Sequence, residues 1–356
     1  MNVIELTRKL IDIPSVTGEE AEVGRFLASY LEGLGYTVEK QLVEENRFNL
    51  IATTGEPPRI VLSTHMDTVP PFIASSEDEQ FIYGRGACDA KGIIAAQIAA
   101  AEELRASGFA ELGLLFTVDE ELASVGARAA NKHPLAASCR HLINGEPTDN
   151  RLAVGSKGAL RLTIRTRGRA AHSAYPEQGD SAIEKLLDVL ASVRATVWPT
   201  DDFFGETTCN IGTIRGGTRS NVIPAEAQAE LAIRLTRDAE TVKRLLEDAV
   251  AGRAEIEYSS AHNPVMMTAL EGFEQLVVRF TTDIPYLKSW GAPLLLGPGS
   301  ILFAHTAEER VAKQELIEAV ELYTRMARAL TEREKSKNEG GRMKDESVIA
   351  EGAGRR

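Results

Sequence analysis

Apolar positions recur along this chain with two different periods. Residues 17–20, Thr-Gly-Glu-Glu, open a helical pattern in which Ala21, Val23, Phe26, Leu27, Tyr30, Leu31 and Leu34 share a face, and Gly35 stops it. Strand-like runs follow at 36–43, 48–53 and 59–64, the last leading directly into His65. Residues 90–107 are alanine-rich and predict a helix that begins just after Asp89 and stops at Gly108. The continuous apolar run 112–118 predicts a buried strand leading into Asp119, Glu120 and Glu121, and the weaker run 139–144 leads to Glu146. Strands alternating with helices predict an α/β fold with a mostly parallel sheet covered on both faces.

From about Gly155 the order changes. A strand at 159–167, a helix at 181–197, strands at 207–214 and 225–235, a helix at 239–251 and a strand at 254–260 follow one another. That β-α-β-β-α-β order predicts a ferredoxin-like module. The earlier pattern resumes with 273–280, 293–296 and a long helix over 308–330. The expectation is an α/β/α catalytic domain made of 1–155 and 266–332, with a lid or dimerisation domain inserted at 156–265. Residues 333–356 are polar, carry Gly340-Gly341 and Gly352-Ala353-Gly354, and predict a disordered tail.

Composition narrows the function classes. A net charge of −12 opposes a phosphate backbone as partner, because nucleic-acid binding needs clustered cations. It leaves room for a small anionic substrate held by a few arginines. Cys88, Cys139 and Cys209 are odd in number and scattered, which fits reduced thiols in the cytoplasm better than a disulfide framework. The first ten residues place charges inside their apolar pattern, unlike a signal peptide, and no apolar stretch nears the ~18 residues of a membrane span.

The candidate chemistry lies just beyond the apolar runs, where an open α/β sheet presents its ligand-binding edge. His65 and Asp67, Asp89, Glu120 with Glu121, Glu146 and the distant His305 make up the set. Two imidazoles with several carboxylates suit a borderline metal such as zinc in a water-activating site. Taken singly, each has an ordinary reading: Asp89 as a helix N-cap, Glu120-Glu121 as a solvated loop, Glu146 as a turn between Gly145 and Pro147. In the pair His65 and Asp67, one ring nitrogen can ligate while the carboxylate fixes the tautomer through the other. Cys88 lacks an identifiable base, Gly84-Arg85-Gly86 lacks the third glycine of a dinucleotide fingerprint, and no Gly-x-Ser-x-Gly elbow is present. His133, His141 and His262 match no site motif.

In order and spacing these clusters resemble the dinuclear-zinc deacylases and exopeptidases that include acetylornithine deacetylase, succinyl-diaminopimelate desuccinylase, aminoacylase and glutamate carboxypeptidase. The matching stretches are Ser-Thr-His65-Met-Asp67-Thr-Val-Pro, Gly-Arg-Gly-Ala-Cys-Asp89-Ala-Lys-Gly, Val-Asp-Glu120-Glu121, Gly-Glu146-Pro, and Ala304-His305-Thr with Glu308-Glu309. The resemblance covers about residues 1–332. It implies that Asp89 bridges two zinc ions, cobalt or manganese being alternatives, with His65 and Glu146 on one and Glu121 and His305 on the other. It further implies Glu120 as general base, Asp67 as the partner of His65, and a homodimer formed through the inserted module. Residues 169–184 resemble the family's lid motif, in which His172 reaches the partner subunit's site and stabilises the oxyanion. Residues 216–224 resemble its substrate-facing loop, with Asn221. Arg234, ending an alternating strand, is a candidate for a substrate carboxylate, since a guanidinium forks a carboxylate; a solvated strand arginine is the other reading. The activity this implies is deacylation of an N-acyl amino acid, as in acetylornithine deacetylase. A desuccinylase, a dipeptidase or carboxypeptidase, and a hydrolase freeing lysine or ornithine from a carrier protein use the same chemistry.

Overall fold

In the computed structural model, which describes the backbone of residues 2–352 and the side chains of 2–334, the parallel strands read from the apolar runs stand side by side. They belong to the larger of two units, Met1–Leu152 with Thr268–Gln275 and Thr282–Arg356; the other is Ala153–Met267 with Leu276–Thr281. Across the larger unit the strand order is Thr37–Glu44, Arg47–Thr53, Leu112–Thr117, Ile60–His65, His141–Asn144, Ala292–Leu295. The last four run parallel, and the first two are antiparallel additions at the edge.

Every residue of Ile60–His65 and of Leu112–Thr117 is buried. A parallel strand covered on both faces has no solvent side, which is why these runs are continuously apolar. Alternation then sends successive residues to opposite layers. Leu62, Leu114 and Phe116 pack with Ile94, Ile98 and Tyr323, whereas Val61, Leu115 and Leu142 pack with Ala127 and Trp290. Helix Lys91–Ala106 lies between the sheet and the helices Val3–Ile11 and Lys313–Gly352, so nearly its whole circumference is buried. Alanine along that helix lets the three layers approach closely.

The second unit holds a four-stranded antiparallel sheet in the order Thr208–Gly216, Glu226–Leu235, Gly158–Arg167, Glu255–His262. Helices Ala182–Ala195 and Ala239–Val250 cover one face through Leu186, Val189, Val242 and Leu246. Ala227, Ala229, Leu231, Ile233 and Leu235 point inward, while Glu226 and Glu230 stay exposed on the open face. The ferredoxin-like order is therefore present.

One helix unread in the sequence appears, and two expected bounds change. Helix Val3–Ile11 was masked in the sequence by Glu5, Arg8 and Lys9; these form a polar face, Leu6, Leu10 and Ile11 are buried, and an Asn2–Glu5 capping box starts the helix. The last helix begins at Lys313 rather than 308, because Arg310–Ala312 first pairs with Phe81–Tyr83. Within 273–280 only Gln275–Val278 is strand, and it pairs with Leu152–Ser156. The tail expected from 333 has helical backbone to Gly352 and, beyond Glu334, lies outside the residues whose side chains are described.

Candidate metal centre and active site

Each inner parallel strand delivers a candidate group at its carboxyl end. His65 is the last residue of its strand, Glu120 and Glu121 follow Thr117, Glu146 follows Asn144, and His305 lies on the loop after Ala292–Leu295. Asp89 sits in the turn before helix Lys91–Ala106. Glu146 depends on the residue before it. A Cβ on Gly145 would fall 2.3 Å from Ile93 Cγ2, so only glycine lets this loop press against the helix.

The side chains converge. His65 Nε2 stands 2.9 Å from Asp89 Oδ1, while His305 Nε2 stands 3.3 Å from Asp89 Oδ2 and 3.0 Å from Glu121 Oε1. The two oxygens of Asp89 thus face two different imidazoles. Ligand atoms of His65, Asp89 and Glu121 all lie within 4.8 Å of one another. Glu146 is buried beside them with its Oε1 lacking a partner.

The charges suit a cation. Burial, and then the charge of Glu146, push the Glu120 carboxyl well above its ordinary range. Glu146 is raised by burial and by Asp89, and Glu121 by burial and Asp89, against the pull of His65 and His305. Among the described residues no lysine or arginine forms an ion pair with Asp67, Asp89, Glu120, Glu121 or Glu146. Hydrogen bonds to Asp89 and Glu121 raise His305 to about 10. Buried carboxylates without cationic side chains, an orphaned oxygen and two imidazoles on one aspartate fit a divalent metal.

Asp67 does more than the sequence assigned it. His65 Nδ1 donates to the Asp67 main-chain carbonyl at 3.0 Å, while the carboxylate lies 3.5 Å away. A carbonyl only accepts, so it fixes the proton on Nδ1 and leaves Nε2 to ligate. The carboxylate instead accepts the main-chain N–H groups of Glu120 (3.1 Å) and Glu121 (3.2 Å) and the Thr17 hydroxyl (2.9 Å). It therefore sets the backbone carrying both glutamates.

Other supports escaped the sequence reading. Glu309 is buried, pairs with Arg85 at 2.5 Å, and accepts the main-chain N–H groups of Gly86 and Asp89. Its place in Glu308-Glu309, four residues after His305, was the available signal. Asp119 accepts N–H groups of Ala123 and Val125 and meets Arg47, which also binds Glu20. Asp283 takes the Thr117 hydroxyl at 2.8 Å behind the Glu120 loop, and burial pushes its carboxyl up to about 6. No motif around it in the sequence pointed there.

The remaining candidates lie in the second unit. His172 and Asn221 share one corner: His172 pairs with Val222 in a short bridge, and the Asn221 carbonyl accepts the Ser173 N–H. Both are exposed. Arg234 is half-buried near the opposite end of strand Glu226–Leu235, roughly 26 Å along it at ~3.3 Å per residue. Burial and the neighbouring Arg161 lower its pKa. Within one copy the three do not converge.

Residues 154–258 match the peptidase dimerisation domain of the M20 family. Over 337 residues the chain is 41% identical to an M20 peptidase domain-containing protein of Schizosaccharomyces pombe, covering 91% of this chain and 84% of that protein. It is 37% identical over 367 residues to a probable carboxypeptidase of Aspergillus terreus, covering 90% and 85%. A tripeptidase structure from Staphylococcus aureus superposes with a TM-score of 0.76 at 21% identity, covering 92% of this chain and 98% of that one. The fold and the metal-ready cluster define a metal-dependent hydrolase of amide bonds. The chain belongs to the M20 peptidase family.

Proposed function

We propose that this protein is a carboxypeptidase-like exopeptidase, hydrolysing the amide that joins a C-terminal amino acid to a short peptide or acyl group. One observation carries the reading. Asp67 holds the amides of two adjacent glutamates so that Glu121 meets His305 while the half-buried Glu120 carboxyl stands, among the described residues, in no ion pair.

His65, Asp89 and Glu146 would hold one divalent ion, and Asp89, Glu121 and His305 a second, with zinc, cobalt or manganese as the candidates. Bound there, the metals supply Lewis acidity and bring the pKa of water toward roughly 7. Glu120 takes the proton of the attacking water and returns it to the leaving amine. Asp67 and Thr17 hold the loop in place during both transfers. His172 Nδ1 accepts the Ala174 N–H at 3.1 Å, which leaves the proton of a neutral ring on Nε2. That N–H is available to the substrate oxygen as it gains charge, and in a homodimer it would come from the other copy. Arg234 is assigned to the substrate carboxylate, and Asn221 to the loop facing the acyl part. The relatives named probable carboxypeptidases favour a peptide over an N-acetyl or N-succinyl amino acid, whose hydrolysis would differ only in the acyl group. Three unpaired cysteines support a cytoplasmic site of action, and no helix among the described residues is long and apolar enough to cross a membrane.

The test is a substrate panel on metal-loaded protein: dipeptides, N-acetyl and N-succinyl amino acids, and the same dipeptides amidated at the C-terminus. Cleavage of free-carboxylate peptides with loss on amidation is expected. Equal cleavage of amidated peptides, or no cleavage in the panel, overturns the reading.

A further inference from the structure

Three ligand-bearing loops of the larger unit each hold a large apolar side chain out to solvent: Phe72 (41% exposed), Leu122 (73%) and Leu302 (81%). Scattered exposed hydrophobics are ordinary on a protein surface. These three are not scattered. Leu122 directly follows Glu121, Leu302 lies three residues before His305, and Phe72 lies five residues after Asp67. Contacts tie the loops together. Arg85 Nε donates to the Pro71 carbonyl and Arg85 Nη1 to the Thr306 carbonyl, which joins the first loop to the His305 loop. The 3.0 Å approach of Glu121 to His305 joins the Leu122 loop to the same place.

Two of the loops are also unusual in composition. Loops normally carry polar residues, yet no Asp, Glu, Lys or Arg occurs in 68–75 or 296–304, the loops of Phe72 and Leu302, in a chain that is 26% charged; the Leu122 loop is charged through Asp119, Glu120 and Glu121. All three are rigid as well. Arg85 N–H binds the Ile73 carbonyl, Ala123 N–H binds the Asp119 carboxylate, and the Phe303 ring lies 4.0 Å under the Arg310 guanidinium. An apolar side chain already fixed on a held loop loses little freedom when a ligand covers it.

We infer that Phe72, Leu122 and Leu302 form an apolar rim that selects substrates carrying a large apolar side chain beside the scissile amide. This deepens, and rests on, the amide hydrolysis proposed above. The occupant is the substrate because the rim is continuous with the ligand loops, where the bond to be cleaved must lie.

The experiment measures kcat/KM for two dipeptide series, Gly-Xaa and Xaa-Gly, with Xaa as Gly, Ala, Leu or Phe. In the wild type, Leu or Phe should exceed Gly by at least about tenfold in one series, the discrimination an apolar pocket gives. Leu122→Ser and Leu302→Ser should each cut that ratio several-fold, and Leu122→Met and Leu302→Met should keep it. A wild-type ratio within about twofold of unity in both series overturns the rim. So does an equal loss on Gly-Gly and on the preferred substrate in both serine variants, since that is the mark of a merely structural role. If no dipeptide is cleaved, the same Xaa comparison is made on N-acetyl amino acids; if none of these is cleaved either, the parent reading fails and the rim falls with it.

Discussion

The candidate residues of the larger unit and those of the smaller unit sit in opposite physical situations. His65, Asp67, Asp89 and Glu146 are buried, Glu121 nearly so and Glu120 half-buried; His305 is exposed, yet its ring is held by Asp89 and Glu121. His172 and Asn221 are exposed at a corner, and Arg234 lies far from both along its strand. A buried carboxylate cluster costs folding free energy unless something compensates it, so its persistence points to a ligand. An exposed histidine carries no such cost and says nothing until something meets it. The larger unit therefore holds a site that its own geometry argues for. The smaller unit holds groups whose role depends on substrate or on a second copy.

Substitutions should separate the two regions. Asp89→Asn should lose both metal and activity, since both imidazoles face that carboxylate; metal analysis alongside turnover reads this. His172→Ala should keep full metal content yet lose about 10²–10³ in kcat, the usual effect of removing an oxyanion donor. Mixing His172→Ala with Glu120→Gln protein should restore part of the activity if the histidine acts across a homodimer. No restoration in a mixture shown to contain mixed dimers would place it elsewhere. Asp67→Asn should cost about 10–100-fold, as for groups that orient metal ligands. If Asp67 acted only on His65, metal affinity alone would fall; because it also holds the Glu120 amide, kcat should fall at saturating metal.

The smallest effect is on pH. His305 is raised to about 10 by Asp89 and Glu121, and an imidazole ligates only after losing its proton. Metal affinity should therefore weaken as pH falls below about 10, by up to about tenfold per unit for each proton displaced. Chelator competition at pH 6, 7 and 8 measures the slope. A flat profile would remove His305 from the ligand set.

Much of this was legible in the chain because burial leaves a continuous signature. Runs such as 59–64 and 112–118 end at charged residues, and that abrupt change marks both a parallel strand and the sheet edge where a site forms. The alternation Ala227, Ala229, Leu231, Ile233 exposed the second sheet in the same way. What stayed hidden depends on contacts between distant segments. Asp283 reaches Thr117 across 166 residues with no local pattern to announce it, and Arg85 reaches Glu309 across 224, where Glu308-Glu309 marked the stretch but not its partner. Helix Val3–Ile11 was hidden differently, by charges that lie on its outer face. Asp67 was legible as a partner of His65 but not as the anchor of the Glu120 and Glu121 amides, because a main-chain donor has no signature in sequence.

The central claim is that Glu120 moves the proton in a metal-supported amide hydrolysis. The direct measurement is kcat of Glu120→Gln, with metal content determined on the same sample and a cleavable dipeptide or N-acyl amino acid as substrate. A loss of about 10²–10⁴ with both metals retained is the expected result. Full activity at full metal content would contradict the account.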